Sequence, residues 1–504
     1  MNIGSQITLN ISVLVFGLLF TLPFSHKLNP PLHISLAWFS GWGVIVFSEI
    51  VLVMTRIHIS LITITSLSIL LLGALWIAYT KLLGNSSLFR HISLALVKFE
   101  YTALIFISVT AIFLLVNSAN YMKYTPDSRI YEAMISMFHK LRIYADTHAI
   151  AFERLLDGVA PFYIAVHNIA HLCGIQVYYS FMGATTFFTG MALWGFWKME
   201  KDQAGFRTIL WFLLVIILFF VNRLVVFHSF YLLTNLTTMA YYTLGVLSLY
   251  RYFKSDNDAF WFIIACFFFG CTGILRKEML IFSVLPFAYA GWKNCIPKLR
   301  IALLGLTIIL SCSYLWFFWR IFGLSSISEV IKNGLKTTGH GGLLIVLLCC
   351  IVSVIIFIYP LHTLRKMSKT LLISLVVSVI VFAIYWSDRL MGSISDLNTL
   401  IFKNEGAWSS FWVLVTLGLL VYFFLRLFSS SINNDKSMEF LAYVIVVFLI
   451  ARTLLFAIFE DIMSCGFNYS GNRTLLHLYP VALYFLGRIG FHCMRKWDNE
   501  RIKI

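Results

Sequence analysis

Charge is scarce in this chain. Asp, Glu, Lys and Arg make up 12% of 504 residues, against roughly 25% in a soluble globular domain. That leaves too little polar surface to cover a particle in water, and a soluble fold is excluded. Acids are the scarcer sign, 22 against 38 Lys and Arg. Strands that alternate apolar and polar residues are missing, which excludes an outer-membrane barrel. No CxxC spacing occurs among the nine cysteines, so zinc and dithiol redox chemistry have no signature. No basic patch interleaves with exposed aromatics, which argues against nucleic acid despite the net charge of +16. No glycine-rich nucleotide loop is present. Residues 1–24 lack a basic leader and a small-residue cleavage site, so this stretch reads as a membrane helix and not a cleaved signal.

What remains is apolar and comes in long runs, such as Leu210–Val221, Leu343–Tyr359 and Trp412–Leu425. Helices of ~17–25 residues match the hydrocarbon thickness of a bilayer. The expected fold is all-α: a polytopic transmembrane helical bundle of about fifteen crossings. These are expected near Leu9–Phe24, Ile34–Met54, Leu61–Tyr79, Tyr101–Val116, Tyr178–Trp197, Thr208–Val221, Phe227–Tyr250, Phe260–Leu275, Met279–Gly291, Ile301–Phe318, Leu343–Tyr359, Leu371–Tyr385, Phe411–Leu425, Leu441–Phe459 and Leu475–Gly487.

Alternate connections differ in charge. One set carries Lys81, Arg90 and Lys98; Lys198, Lys201 and Arg207; Arg251 and Lys254; Lys293, Lys298 and Arg300; Arg365, Lys366 and Lys369; and Arg426 and Lys436. The tail adds Arg488, Arg495, Lys496, Arg501 and Lys503. Short basic loops stay in the cytoplasm. The other set, 117–177, 320–342, 386–410 and 460–474, is longer and mixed and is expected outside. The C-terminus then lies inside and the N-terminus outside. Within 117–177, Ile130, Met134, Met137, Leu141 and Tyr144 form one apolar helical stripe. A second such stretch runs from Pro161 to Cys173. Both suit amphipathic helices lying in the outer membrane interface.

Polar residues gather at the outer ends. Thr125-Pro126-Asp127-Ser128-Arg129-Ile130-Tyr131-Glu132 opens the first amphipathic helix. Asp127 either complements the helix macrodipole or serves as a base for an attacking hydroxyl. Asp157, near Asp146 and Glu153, is either a turn aspartate ahead of Pro161 or a second carboxylate that assists the base or holds a metal. Leu275-Arg276-Lys277-Glu278 sits between two close-set helices. It is either an Arg–Glu pair capping the turn or a phosphate clamp built from a planar fork and a point charge. Tyr469-Ser470-Gly471-Asn472-Arg473 precedes the last helix, with His477 one turn on and Pro480 beyond. Its arginine either snorkels to headgroups or binds a lipid-linked phosphate. His340 lies at a loop-to-helix junction. Arg452 sits inside a helix, with Glu439 one of several conceivable partners. Glu49, Asp388, Arg389, Glu460 and Asp461 lie near outer ends and suit the same cleft.

The order of these pieces resembles the GT-C superfamily of membrane glycosyltransferases, which includes protein O-mannosyltransferases and lipid A aminoarabinose transferases. The matching layout begins with a helix and an outer loop with an early acid and two interfacial helices, Asp127 to Gly174. A helical bundle and the basic turn at Arg276 follow. An aromatic helix end, Trp316-Phe317-Phe318-Trp319, then leads to Arg320-Ile321-Phe322-Gly323, and an Arg–Pro helix from Arg473 to Pro480 closes the core. The likeness runs from about Tyr101 to the C-terminus. It divides the chain into extra N-terminal helices, 1–98, and a catalytic core, 99–504. Ser128 follows Asp127 where the family often carries a second acid, and three helices precede the family's usual start.

The resemblance implies a periplasm-facing active site in a multi-pass protein of the bacterial inner membrane. The donor would be a sugar on polyprenyl phosphate, and the acceptor a cell-envelope lipid or glycan. Asp127, with Asp157, would be catalytic. Arg276, Lys277 and Arg473 would bind the carrier phosphate. Glu278, His340 and Tyr131 complete the candidate set. No metal ligand set is assigned, and a divalent metal stays open as a cofactor. Two other classes compete: an O-antigen polymerase or ligase using the same carrier, and a flippase or transporter. Membrane lipid is a partner in every case; nucleic acid is not.

Overall fold

The computed structural model describes residues 3–55, 57–83, 161–175, 178, 180–200, 206–230, 234–255, 258–276, 279–292, most of 369–403, 406–428, 435–458 and 470–501. The helices are α1 (Ile3–Thr21), α2 (Pro30–Met54), α3 (Leu61–Leu83), α4 (Pro161–Leu172), α5 (Ser180–Lys198), α6 (Phe206–Val221), α7 (Arg223–Ser229), α8 (Asn235–Lys254), α9 (Ala259–Leu275), α10 (Met279–Trp292), α11 (Ser387–Phe402), α12 (Phe411–Phe428), α13 (Lys436–Ile458) and α14 (Ser470–Arg501). A 3-10 turn, Leu22–Lys27, joins α1 to α2. No strand occurs among the described residues.

Four described helices are long and apolar enough to cross a membrane: Gly4–Lys27, Pro30–Leu52, Lys436–Ala457 and Asn472–Cys493. A fifth arises if α6 and α7, bent by 53°, count as one span. The expected crossings at Tyr101–Val116, Ile301–Phe318 and Leu343–Tyr359 lie outside the described residues. Exposed Ile7, Ile11, Ile62, Leu70, Leu214 and Leu420 put bare hydrocarbon on the outside of the bundle. Lipid covers such faces at no cost, whereas water would not.

Small residues let the helices close up. A Cβ on Gly17 would fall 1.5 Å from the Ala37 carbonyl oxygen, and one on Gly41 would fall 2.0 Å from that of Val13. Between membrane helices, where solvent adds no hydrophobic drive, such backbone approach is a main source of attraction. Polar bonds join α1 and α2 to the rest. The Asn10 side-chain oxygen Oδ1 accepts from Tyr178 Oη at 2.8 Å and from Trp38 Nε1 at 3.2 Å. Tyr241 Oη donates to the Phe39 carbonyl at 2.7 Å. The first two helices therefore share one core with α8 and α9.

The bundle has two polar ends. Asn235 opens α8 and Arg251 and Lys254 close it, so the two groups stand about 24 Å apart at ~1.5 Å rise per residue. At the far end, Glu200 is buried, with its side chain 2% exposed. It is ion-paired to Lys254, to Arg488 at 3.0 Å and to Arg251 at 3.6 Å. It also accepts from Tyr250 Oη at 2.9 Å and Tyr484 Oη at 3.4 Å. Burial alone would raise its carboxyl; Arg488, Lys254 and Arg251 overcome that and leave it below the ordinary carboxylate range. Charges are costly away from water unless paired and hydrogen-bonded in this way. The knot ties the ends of α5 and α8 to the middle of α14. Lys27 and Asp258 pair at 2.6 Å across the starts of α2 and α9.

Three expectations about the elements change. The crossing expected over Phe227–Tyr250 is broken: α7 ends at Ser229 and α8 starts at Asn235. Ahead of it, the Asn222 side chain accepts from the Leu224 and Val225 amides and starts α7 at an angle to α6. The stretch from Pro161 is a helix, α4, but Phe162–Ala170 is buried throughout. It is wedged among α2 and α9 and has no open face for a membrane interface. The segment 386–410, expected as an outer connection, contains α11, which packs on α13 through Ser393 Oγ donating to the Thr453 carbonyl at 2.9 Å. The first amphipathic stripe, at Ile130, lies outside the described residues.

Candidate functional site

The other polar end is assembled from helix termini. Arg276 caps α9 at its C-terminus, with an extended backbone (φ −151°, ψ 128°) that ends the helix. Its guanidinium donates to the Asn235 side-chain oxygen at the start of α8. Arg473 and His477 lie one turn apart near the start of α14. The neighbouring Asn472 donates to the Gly406 carbonyl at 2.8 Å and accepts from the Trp408 indole, which pins the loop before α12 against this end. Ala407 and Ser409 hold positive φ values of 57° and 50° there. His228 comes from α7, the short helix that the bend at Asn222 turns inward.

These pieces converge. Arg276 and Arg473 both lie within electrostatic range of His228 and of His477, and the two imidazoles are within range of each other. The histidines are 0% and 1% exposed. Neither ring nitrogen of either has a hydrogen-bond partner among the described residues. A buried polar group left so costs about 1–3 kcal/mol. Such atoms in a folded protein call for an explanation, and a ligand or catalytic role is a common one. The N-terminal ends of α8 and α14 and the C-terminal ends of α7 and α9 meet here, so the helix dipoles oppose one another and the two arginines set the sign. The chemistry on offer is recognition of an anion.

Of the residues expected at the site, Arg276 and Arg473 are thus brought together. Asp127, Tyr131, Asp157, Lys277, Glu278 and His340 lie outside the described residues, as do Glu460 and Asp461. Asp388 and Arg389 are exposed on α11. Glu439 is paired with Arg426 at 3.2 Å, about 20 Å along α13 from Arg452 at ~1.5 Å per residue. Arg452 is buried, with its guanidinium 4.6 Å from the Phe456 ring centre. Among the described residues, no group of three or more His, Cys, Asp or Glu is placed to hold a metal ion.

A second polar pair at this end joins α2 to α4. Glu49 Oε1 accepts from Asn168 Nδ2 at 2.7 Å, and Glu49 Oε2 has no partner among the described residues. His167 beside it stacks on Tyr163, with ring centres 4.5 Å apart, and burial together with His171 holds it neutral, down to about 3. His228 was not singled out in the sequence. The signal was an imidazole within an apolar run, where an ionisable side chain is a functional candidate by default.

Comparison with known proteins gives no match to any family model, curated protein or solved structure.

Proposed function

We propose that the protein is a membrane glycosyltransferase. It moves a sugar from a polyprenyl-phosphate carrier to a lipid or polysaccharide of the cell envelope. The reaction takes place at the periplasmic face of the bacterial inner membrane, in a chain of about fifteen crossings. The observation that carries this reading is the convergence of Arg276 and Arg473 on one buried polar site at the end of lipid-sized helices. Fixed cationic donors in a low-dielectric site suit a leaving group that gains negative charge. A site at helix ends lets the carrier's headgroup enter while its prenyl tail stays in lipid.

In the proposed step, an acceptor hydroxyl attacks the anomeric carbon. A new C–O bond forms there, and the bond from that carbon to the phosphate oxygen breaks. Its electron pair leaves on polyprenyl phosphate. Asp127 takes the hydroxyl proton, with Asp157 supporting it; these carboxylates would also suit a divalent metal. Arg276, Lys277 and Arg473 bind the phosphate throughout. Glu278, Tyr131 and His340 are placed by sequence around the same face.

A flippase or transporter is the reading that the buried Glu49–Asn168 pair favours, since intramembrane carboxylates often carry protons. Mass analysis of envelope lipids and glycans from a deletion strain separates the options. A transferase predicts one missing sugar with its lipid-linked donor accumulating on the outer leaflet. An altered chain-length distribution with every sugar present points to an O-antigen polymerase, and donor trapped on the inner leaflet points to a flippase. Either result contradicts the transferase.

A further inference from the structure

We propose that His228 and His477 are phosphate ligands: together they form the buried wall of the subsite that receives the phosphoryl group of a lipid carrier. The inference deepens the transferase reading and rests on it for the lipid part of the ligand.

The argument starts from the atoms. A neutral imidazole offers one N–H donor and one bare nitrogen. Both rings here are fully enclosed, and all four ring nitrogens lack hydrogen-bond partners among the described residues. They come from different elements, α7 and α14, and are brought together by the turn at Asn222 and by the packing of α14 against α6 and α8. A pair of mere space-fillers would be expected as Phe or Leu in this apolar surrounding. Charge selects the ligand's sign. Arg276 and Arg473 stand within range of both rings, and two arginines repel a metal cation that imidazoles alone would attract. An oxyanion with several acceptor oxygens can satisfy two imidazole N–H groups and two guanidinium forks together. Phosphate has that geometry. The flanking apolar helices suit a ligand whose other end is hydrocarbon.

The test uses the full chain in lipid nanodiscs, with polyprenyl monophosphate, polyprenyl alcohol and inorganic phosphate as probes. His228→Phe and His477→Phe remove the N–H while keeping a flat ring in an apolar site. Each should weaken polyprenyl monophosphate binding roughly tenfold, the size of one lost charge-assisted hydrogen bond. The glutamine variants, which keep an N–H donor, should recover part of that loss. Binding of the alcohol should not respond. Phosphate that binds and responds to the histidine variants, while the lipid phosphate does not bind, supports the subsite and removes the lipid carrier with the transferase reading. Equal binding of the lipid phosphate to wild type and both phenylalanine variants overturns the role of the histidines and leaves the transferase standing. No binding of either phosphate to wild type overturns both. Should a variant fail to insert, 31P–15N dephasing in histidine-labelled wild type decides the matter: contact supports the proposal and its absence refutes it.

Discussion

Arg276 and Arg473 come from opposite kinds of helix end, the C-cap of α9 and the first turn of α14, and act on the same two buried imidazoles. The arrangement is long-range. It depends on α8 and α9 running as an antiparallel pair and on α14 packing along α8. Two cationic forks then stand within electrostatic range of one pair of rings, an arrangement suited to a phosphate.

Replacing either arginine should harm the ligand more than the fold. Arg473→Ala and Arg276→Ala should each raise the apparent donor Km about ten- to hundredfold, from a charge-assisted bond worth ~1.5–3 kcal/mol. Insertion and melting temperature should change little by comparison. Kinetics on reconstituted protein, with melting followed in parallel, checks this. Unchanged donor saturation would remove the clamp.

The opposite end behaves as a structural lock. Glu200→Gln leaves Arg251, Lys254 and Arg488 around a neutral amide. Breaking one member of a buried ion network costs about 3–5 kcal/mol. Thermal unfolding in detergent should register that loss, whereas donor binding at the far end should survive in the protein that remains folded.

The same carboxylate sets an acid limit. Its folded pKa is held below the unfolded one. Its contribution is therefore complete above the unfolded value of about 4.3 and is lost as pH falls through the folded value. Wild type should lose stability progressively below about pH 4.3, and Glu200→Gln should lack that component. Melting curves against pH for both proteins measure the difference.

Helix contact between α1 and α2 is the tightest of the glycine sites. Gly17→Leu places a side chain where the Ala37 carbonyl already stands. Overpacking of this kind costs about 1–3 kcal/mol and more where backbone must move. Reduced melting temperature and looser association of residues 1–54, seen as faster proteolysis near Thr55, is the expected result.

Orientation can be tested directly. Ser410 precedes α12 and Lys436 follows it at the start of α13, both exposed. Cysteines at these positions, in a chain cleared of exposed Cys493, should label from opposite faces of sealed vesicles. By the same rule, Ser128 should label from outside and Ser431 from inside. Labelling of both members of a pair from one face contradicts the charge-based orientation.

Much of the layout was legible because it depends on local composition. The charge of alternate loops put Arg251, Lys254 and Arg488 at one side and Arg276 and Arg473 at the other, and helix geometry separates them in that way. What was hidden depends on tertiary contact. Glu200 lies beside Lys198 and Lys201 in a basic connection, and its burial comes only when the ends of α5 and α8 meet the middle of α14. His228 was hidden because the span expected over Phe227–Tyr250 ran on past it, whereas the short helix ends at Ser229 and the next starts at Asn235. The pattern of Leu390, Ser393, Leu400 and Ile401 recurs on one face of α11 and could have been read as a helix. The buried faces of α4 could not, since its neighbours are distant in sequence.

The most direct test follows the lipid donor itself. Reconstituted protein is incubated with lipid-linked sugars and acceptor extracted from the envelope, and the carriers are weighed by mass spectrometry. Wild type should consume one polyprenyl-phosphate sugar and release an equal amount of polyprenyl phosphate, while Arg276→Ala and Arg473→Ala do neither at a comparable rate. No donor consumed by wild type, or equal consumption by all three proteins, would contradict the proposed site.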